Sequence, residues 1–97
     1  MVTGKTKTGF EYSIDERIVK NYRYVRALAK LKKGDNAEKF LAFDQISTLM
    51  LGDKVEDLIT HVETLHDGYA PIEAIGAEVT EMMGALTPKN SISSQES

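Results

Sequence analysis

The sequence contains no cysteine, which excludes disulfides and thiolate metal sites. It contains no tryptophan either. No apolar run approaches the roughly 20 residues needed to span a bilayer. The opening stretch, MVTGKTKTGF, is polar and lacks the apolar segment of a secretory signal. A P-loop, a GxSxG elbow and a Ser-His-Asp spacing are missing as well. These absences set the expectation of a soluble cytoplasmic protein that is not an enzyme.

What is present is ordinary for a globular chain. Hydrophobic residues make up 41% of the 97 residues and charged residues 28%. That length supports one domain with a single modest core. The net charge of -3 hides a strong asymmetry. Residues 1–39 hold ten Lys/Arg against five Asp/Glu, whereas residues 40–97 hold two against ten. Either the two parts attract each other within the fold, or both are solvated, or a polarised surface docks a charged partner.

The clearest pattern runs from Leu51 to Leu86. Val55, Leu58, Ile59, Val62 and Leu65 recur at three- and four-residue steps, as do Ile72, Ile75, Val79, Met82 and Leu86. Asp67-Gly68 breaks the first of these helices and Pro71 starts the second. Upstream, Phe10, Tyr12 and Ile14 alternate with Glu11 and Ser13 around a Thr8-Gly9 turn, which predicts a hairpin over about 2–7 and 10–14. Capping-box spacings at Ser13/Glu16, with Asp15 as an alternative cap, and at Asp35/Glu38 and Asp53/Glu56 predict three helix starts. Lys32-Lys33-Gly34 and Gly52 predict two helix ends.

The expected fold is therefore mainly α: a small four-helix domain over residues 1–86 with a short N-terminal β-hairpin. The helices are placed at 15–32, 36–51, 53–66 and 71–86. Phe10, Tyr12, Tyr22, Leu28, Phe43, Leu58, Val62, Ile75 and Val79 are expected in the core, and Phe40 is placed inside the second helix. TPKNSISSQES, residues 87–97, reads as a disordered tail.

Little in this pattern carries chemistry. His61 and His66 sit about 140° apart on a helix and cannot share a metal. His61 is expected to pair with Asp57 on the surface, and His66 to sit at a helix C-terminus. Glu78 and Glu81 read as a solvated face. No catalytic residue, cofactor or metal ligand is expected. The basic first helix is more informative. Arg17, Lys20, Arg23, Arg26 and Lys30 interleave with Tyr22 and Tyr24, a combination able to hold phosphate. The acidic pI of about 5.3 and the lack of a base-reading motif argue against nucleic acid.

KTKTGFEYSIDERIVKNYRYVRALAKL resembles the opening of tail assembly chaperones from siphophages and prophages of Gram-positive bacteria. That opening has a strand pair of the type TKSGF-x-[FY]-x-I-D ahead of an aromatic-rich helix. LGDKVEDLITHVETLHDGYAPIEAIGAEVTEMM is similar to their second half, with an LG break, a helix, an acidic DG turn and a final helix. The first helix here is more basic than in that family. The resemblance implies a non-catalytic, mainly helical protein of the host cytoplasm, absent from the mature virion. It also implies that the protein binds the tape measure protein and assists tail-tube subunits. A longer form made by frameshifting is part of the same expectation, with Thr87-Pro88-Lys89 as a place for slippery codons. A homo-oligomer stays open, and the lack of a long apolar run sets the expectation of no membrane partner. Met83 and exposed apolar residues of the second and fourth helices, such as Leu41, are the candidate apolar contacts with a partner. Arg23, Arg26 and Lys30 are the candidate charged contacts. Two rival functions remain: a small nucleic-acid-associated or regulatory phage protein that uses the basic helix, and a structural head-tail adaptor.

Overall fold

The computed structural model describes residues 1–86. The tail at 87–97, including Thr87-Pro88-Lys89, lies outside the described residues. The described chain is mainly helical and opens with a two-stranded antiparallel hairpin.

Strand β1 (Val2–Lys5) pairs with β2 (Glu11–Ile14), with Val2 opposite Ile14 and Lys5 opposite Glu11. The turn is closed by Thr6, whose N–H donates to the Phe10 carbonyl at 2.9 Å and whose hydroxyl accepts from the Phe10 N–H at 3.1 Å. These bonds satisfy polar groups of a residue that is itself buried. Alternation along β2 puts Ile14 in the core and leaves Glu11 and Ser13 exposed.

The first helix does not start at Asp15. Asp15 caps a 3-10 turn, Glu16–Lys20, by accepting from the Arg17 N–H, and the Arg17 guanidinium closes on the same carboxylate at 2.6 Å. Those hydrogen bonds hold the Asp15 carboxyl at about 2, below its ordinary 3.8. The Ser13/Glu16 capping box is not formed; Glu16 pairs with the N-terminal ammonium at 2.8 Å. Helix α1 (Tyr22–Lys33) begins only at Asn21, which has extended backbone and accepts from the Arg23 N–H at 2.8 Å. This late start resets the helical phase. Tyr24 and Ala27 face inward, flanked by half-buried Leu28 and Leu31. Tyr22, expected in the core, is 73% exposed, whereas Tyr24 is 4% exposed. Burial pushes the Tyr24 phenol pKa up.

Helix α2 (Asn36–Leu51) starts as its sequence predicts. The Asp35 carboxylate accepts from the Glu38 N–H at 2.8 Å, and the Glu38 side chain accepts from the Asp35 N–H at 3.0 Å. Gly34 just ahead is extended (φ -75°, ψ 170°), so no left-handed turn requires a glycine there. A Cβ would stand 2.8 Å from the Lys30 carbonyl oxygen and 2.7 Å from Glu38 Cβ. Close approach explains this residue.

Four separate helices are a correction. Among the described residues helical chain runs from Asn36 to Leu65 without a gap, giving three helical segments. A 3-10 turn, Gly52–Lys54, joins α2 to α3 (Val55–Leu65). The Asp53/Glu56 capping box is absent, and α3 has no side-chain cap. Gly52 redirects the chain instead, at φ 60° and ψ -129°, a conformation that glycine adopts far more readily than other residues. A straight helix would separate Phe43 from Leu58 by about 22 Å; here both line one groove. Past α3, Asp67 and Gly68 both have positive φ, and the Gly68 N–H returns to the Glu63 carbonyl at 2.7 Å. Helix α4 (Ile72–Leu86) follows Pro71.

Helix α1 lies along α2, and α3 touches both α2 and α4. The core gathers Ile14 from the hairpin, Ile18, Tyr24, Ile46, Leu58, Val62, Val79 and Met82. Of the other expected core residues Phe10 is buried, while Tyr12, Leu28, Phe43 and Ile75 are half-buried against it.

Candidate functional site

Helix α2 is apolar on nearly every side, with Phe40, Leu41, Phe43, Ile46, Leu49, Met50 and Leu51. A helix of this kind is covered completely only in the middle of a larger core. Here α1 covers one flank, and the hairpin and α3 take other parts. One side stays open. Phe40, Phe43 and Ser47 of α2 face Val55, Leu58 and Ile59 of α3 across a groove of about 300 Å³. Ala70, Ile72 and Ile75 form its other end, and Asp44 is its charged wall residue. The Ser47 hydroxyl donates to the Phe43 carbonyl at 2.9 Å, so its polar group is already satisfied within the helix. Leu58 is buried at the base, while Phe40 (50% exposed) and Ile72 (57% exposed) stand at the edge. Apolar surface with an open edge is the form that accepts an apolar helix face. Two larger depressions, about 540 and 580 Å³, run beside the hairpin and the 3-10 turn. Their linings mix polar with apolar residues, among them Glu11, Ser13, Asp15 and Arg17.

The partner residues expected from sequence divide differently. Leu41 is 64% exposed, but it lies on the α1 side of α2. There it lines a shallow groove of about 290 Å³ with Arg26, Lys30 and Glu38. Arg23 is exposed nearby on α1. Met83 is half-buried against the core and lines neither groove. Thus Leu41, Arg26 and Lys30 come together, and Met83 does not join them. Arg26 also stacks its guanidinium over the Tyr22 ring at 5.3 Å. The ion pairs of the described residues are Met1–Glu16, Lys5–Glu11 and Arg17–Asp15. None of these joins the basic α1 to the acidic helices.

A second cluster corrects the reading of His61, Glu78 and Glu81 as surface residues. The Thr8 hydroxyl donates to Glu78 Oε2 at 2.6 Å and lies 2.9 Å from His61 Nε2. Its single proton is used on Glu78, so His61 must donate. The Phe10 ring lies beside the His61 ring at 5.6 Å. The Lys7 N–H donates to the Glu81 carboxylate at 3.1 Å. Glu78 is 5% exposed, and its Oε1 has no partner. The residue types are those of a nucleophile–base–acid set, but the connections are wrong. A working relay needs the acid on His Nδ1 and an acceptor Nε2 facing the hydroxyl. The cluster instead fastens the hairpin turn to α3 and α4. Among the described residues no three His, Cys, Asp or Glu side chains are grouped to hold a metal ion. No described helix is long and apolar enough to cross a membrane.

The sequence marked Phe40, Phe43, Val55, Leu58, Ile59, Ile72 and Ile75 of the groove as members of apolar helix faces and assigned Asp44, Ser47 and Ala70 no role. The signal that distinguishes them is the surplus of apolar residues around α2. Comparison with protein-family models, characterised proteins and solved structures finds no match to this chain.

Proposed function

We propose that this protein is a non-catalytic assembly chaperone that holds a helical polypeptide by its apolar face. Its partner is of the tape measure kind, as the resemblance to phage tail assembly chaperones implies. The observation that carries this reading is the open apolar groove between α2, α3 and the start of α4, edged by Phe40 and Ile72. A long helical protein that has not yet been enclosed by a tube exposes apolar stripes, and such stripes aggregate. Laying one stripe in the groove covers it by ordinary helix-in-groove packing. Assistance to tail-tube subunits, action in the host cytoplasm and absence from the finished particle belong to the same proposal.

The basic α1 face supports the rival reading, in which phosphate is bound by Arg23, Arg26 and Lys30 beside Tyr22. The two readings are separated by one experiment. Coexpression with the long helical partner should raise that partner's soluble fraction severalfold. Phe40→Ser with Ile72→Ser should abolish the gain. Both side chains are about half exposed or more, so the fold should survive their loss. No gain in solubility, together with DNA binding that weakens steeply with salt, would replace this proposal with the rival.

A further inference from the structure

The apolar groove lies between two parts of the fold. One wall is α2, with Phe40 at its lip; the other is α3 and the start of α4, with Ile72 at its lip. The angle between the walls is set at Gly52, in a conformation that glycine adopts far more readily than other residues. Among the described residues nothing packs within 4 Å of the point where a Gly52 Cβ would stand. The 3-10 turn and α3, which follow, have no side-chain cap. Phe40 stands about 18 Å along α2 from this joint, so a pivot of about 10° moves that lip by about 3 Å. Ile46 of α2 shares one buried core with Leu58, Val62, Val79 and Met82 of the α3–α4 pair. Apolar burial is non-directional, and it fixes an angle less sharply than hydrogen bonds do. Directional contacts to the pair come from the hairpin turn. The Lys7 N–H donates to both Glu81 oxygens, at 3.1 and 3.3 Å. The Thr8 hydroxyl binds Glu78 of α4 and meets His61 of α3. Strand β2 of the same hairpin lies against α2, so the hairpin braces the α3–α4 pair against α2.

We infer that Thr8 is a positioning residue for the groove, which it does not line: its bonds to Glu78 and His61, with the Lys7–Glu81 bond beside them, hold the α3–α4 pair at one angle to α2 and so fix the groove's width. Glu78 shows what the brace works against. It is 5% exposed, and its Oε1 has no partner. A buried carboxylate with an unsatisfied oxygen favours any looser arrangement that admits water, and the Thr8 hydroxyl opposes that loosening. Without the hydroxyl the pair pivots about Gly52 until water reaches Glu78, and the two lips lose their fixed spacing. A groove held at one width binds a helix more tightly than one that samples several, because part of the ordering cost is met before binding. That binding consequence rests on the proposed function; the fixed width does not.

The test is the distance across the groove, measured in the full chain by double electron–electron resonance between two spin labels. The chain has no cysteine, so Lys39→Cys with Glu73→Cys, both exposed, places one label beside each lip. A second pair, Arg23→Cys with Lys39→Cys, spans α1 and α2 and serves as the control. The parent should give a narrow distribution across the groove. Thr8→Val should widen it by about 3 Å or more, Thr8→Ser should keep it narrow, and the α1–α2 distance should stay the same in all three. Circular dichroism checks that each variant is folded. Should Thr8→Val fail to fold, Glu81→Ala takes its place, with Glu81→Gln as the conservative partner that keeps an acceptor for the Lys7 N–H. An unchanged groove distance, a Thr8→Ser distribution as broad as that of Thr8→Val, or equal broadening in the α1–α2 pair would each overturn the inference. In coexpression with a long helical partner, Thr8→Val should lower the partner's soluble fraction about twofold or more and Thr8→Ser should not. Distances that behave as expected in a parent that raises no partner's solubility would count against the proposed function alone.

Discussion

A hydroxyl carries one proton, and Thr8 uses it on a carboxylate that is almost out of water. Glu78 is buried with Oε1 unpaired, so among the described residues the Thr8 bond at 2.6 Å is the hydrogen bond that satisfies its carboxylate. Removing the partner of a buried polar group costs more than the bond itself contributes. Thr8→Val should therefore lower stability by about 1–3 kcal/mol, measured by urea unfolding. A double-mutant cycle with Glu78→Gln should show strong coupling, because the two side chains touch. None of this was legible in the sequence. Thr8 read as a turn residue, and Glu78 shared a helix with Glu73 and Glu81. The bond spans seventy residues of chain, and no local pattern marks a pairing of that range.

Local patterns did fix the elements whose signals are themselves local. The Asp35/Glu38 box forms because both of its bonds close within four residues. Asp67-Gly68 breaks α3 because both residues take positive φ. The failures share a cause too. Three capping-box spacings looked alike, yet only the one at Asp35 is formed. At Ser13 the alternative cap Asp15 is used and Glu16 pairs with the N-terminus, and at Asp53 the chain stayed helical through a 3-10 turn. The extended Asn21 breaks the phase between Ile18 and α1, so Tyr22 no longer shares the face of Ile18 and Tyr24 is the buried tyrosine. Patterning was reliable in the middle of an apolar stripe and less so at its ends, where Leu65 and Ile72 are exposed. Leu58 and Val62 are both almost fully buried on α3. Leu58→Ala should cost about 2–4 kcal/mol, read as a lower denaturation midpoint with an unchanged slope.

At the scale of the whole molecule, α2 is the dividing wall. Its α1 side holds Leu41 with Arg26 and Lys30, and its other side holds Phe40 over the apolar groove. The sequence reading named Met83 and exposed apolar residues of the second and fourth helices, such as Leu41, as partner contacts. It placed Phe40 inside because aromatic residues are usually core. Among the described residues α2 is not covered on every side, and that shortfall is invisible residue by residue. The two neighbours therefore make a direct comparison. Leu41→Ser and Phe40→Ser remove apolar side chains of similar exposure, 64% and 50%, one residue apart. Stability should fall little in either case. In coexpression with a long helical partner, Phe40→Ser should cut the partner's soluble fraction severalfold, while Leu41→Ser should leave it near the parent level. Equal losses from both would mean that the partner wraps α2 and not the groove. A loss from Leu41→Ser alone would move the binding surface to the α1 side, where the sequence first placed it.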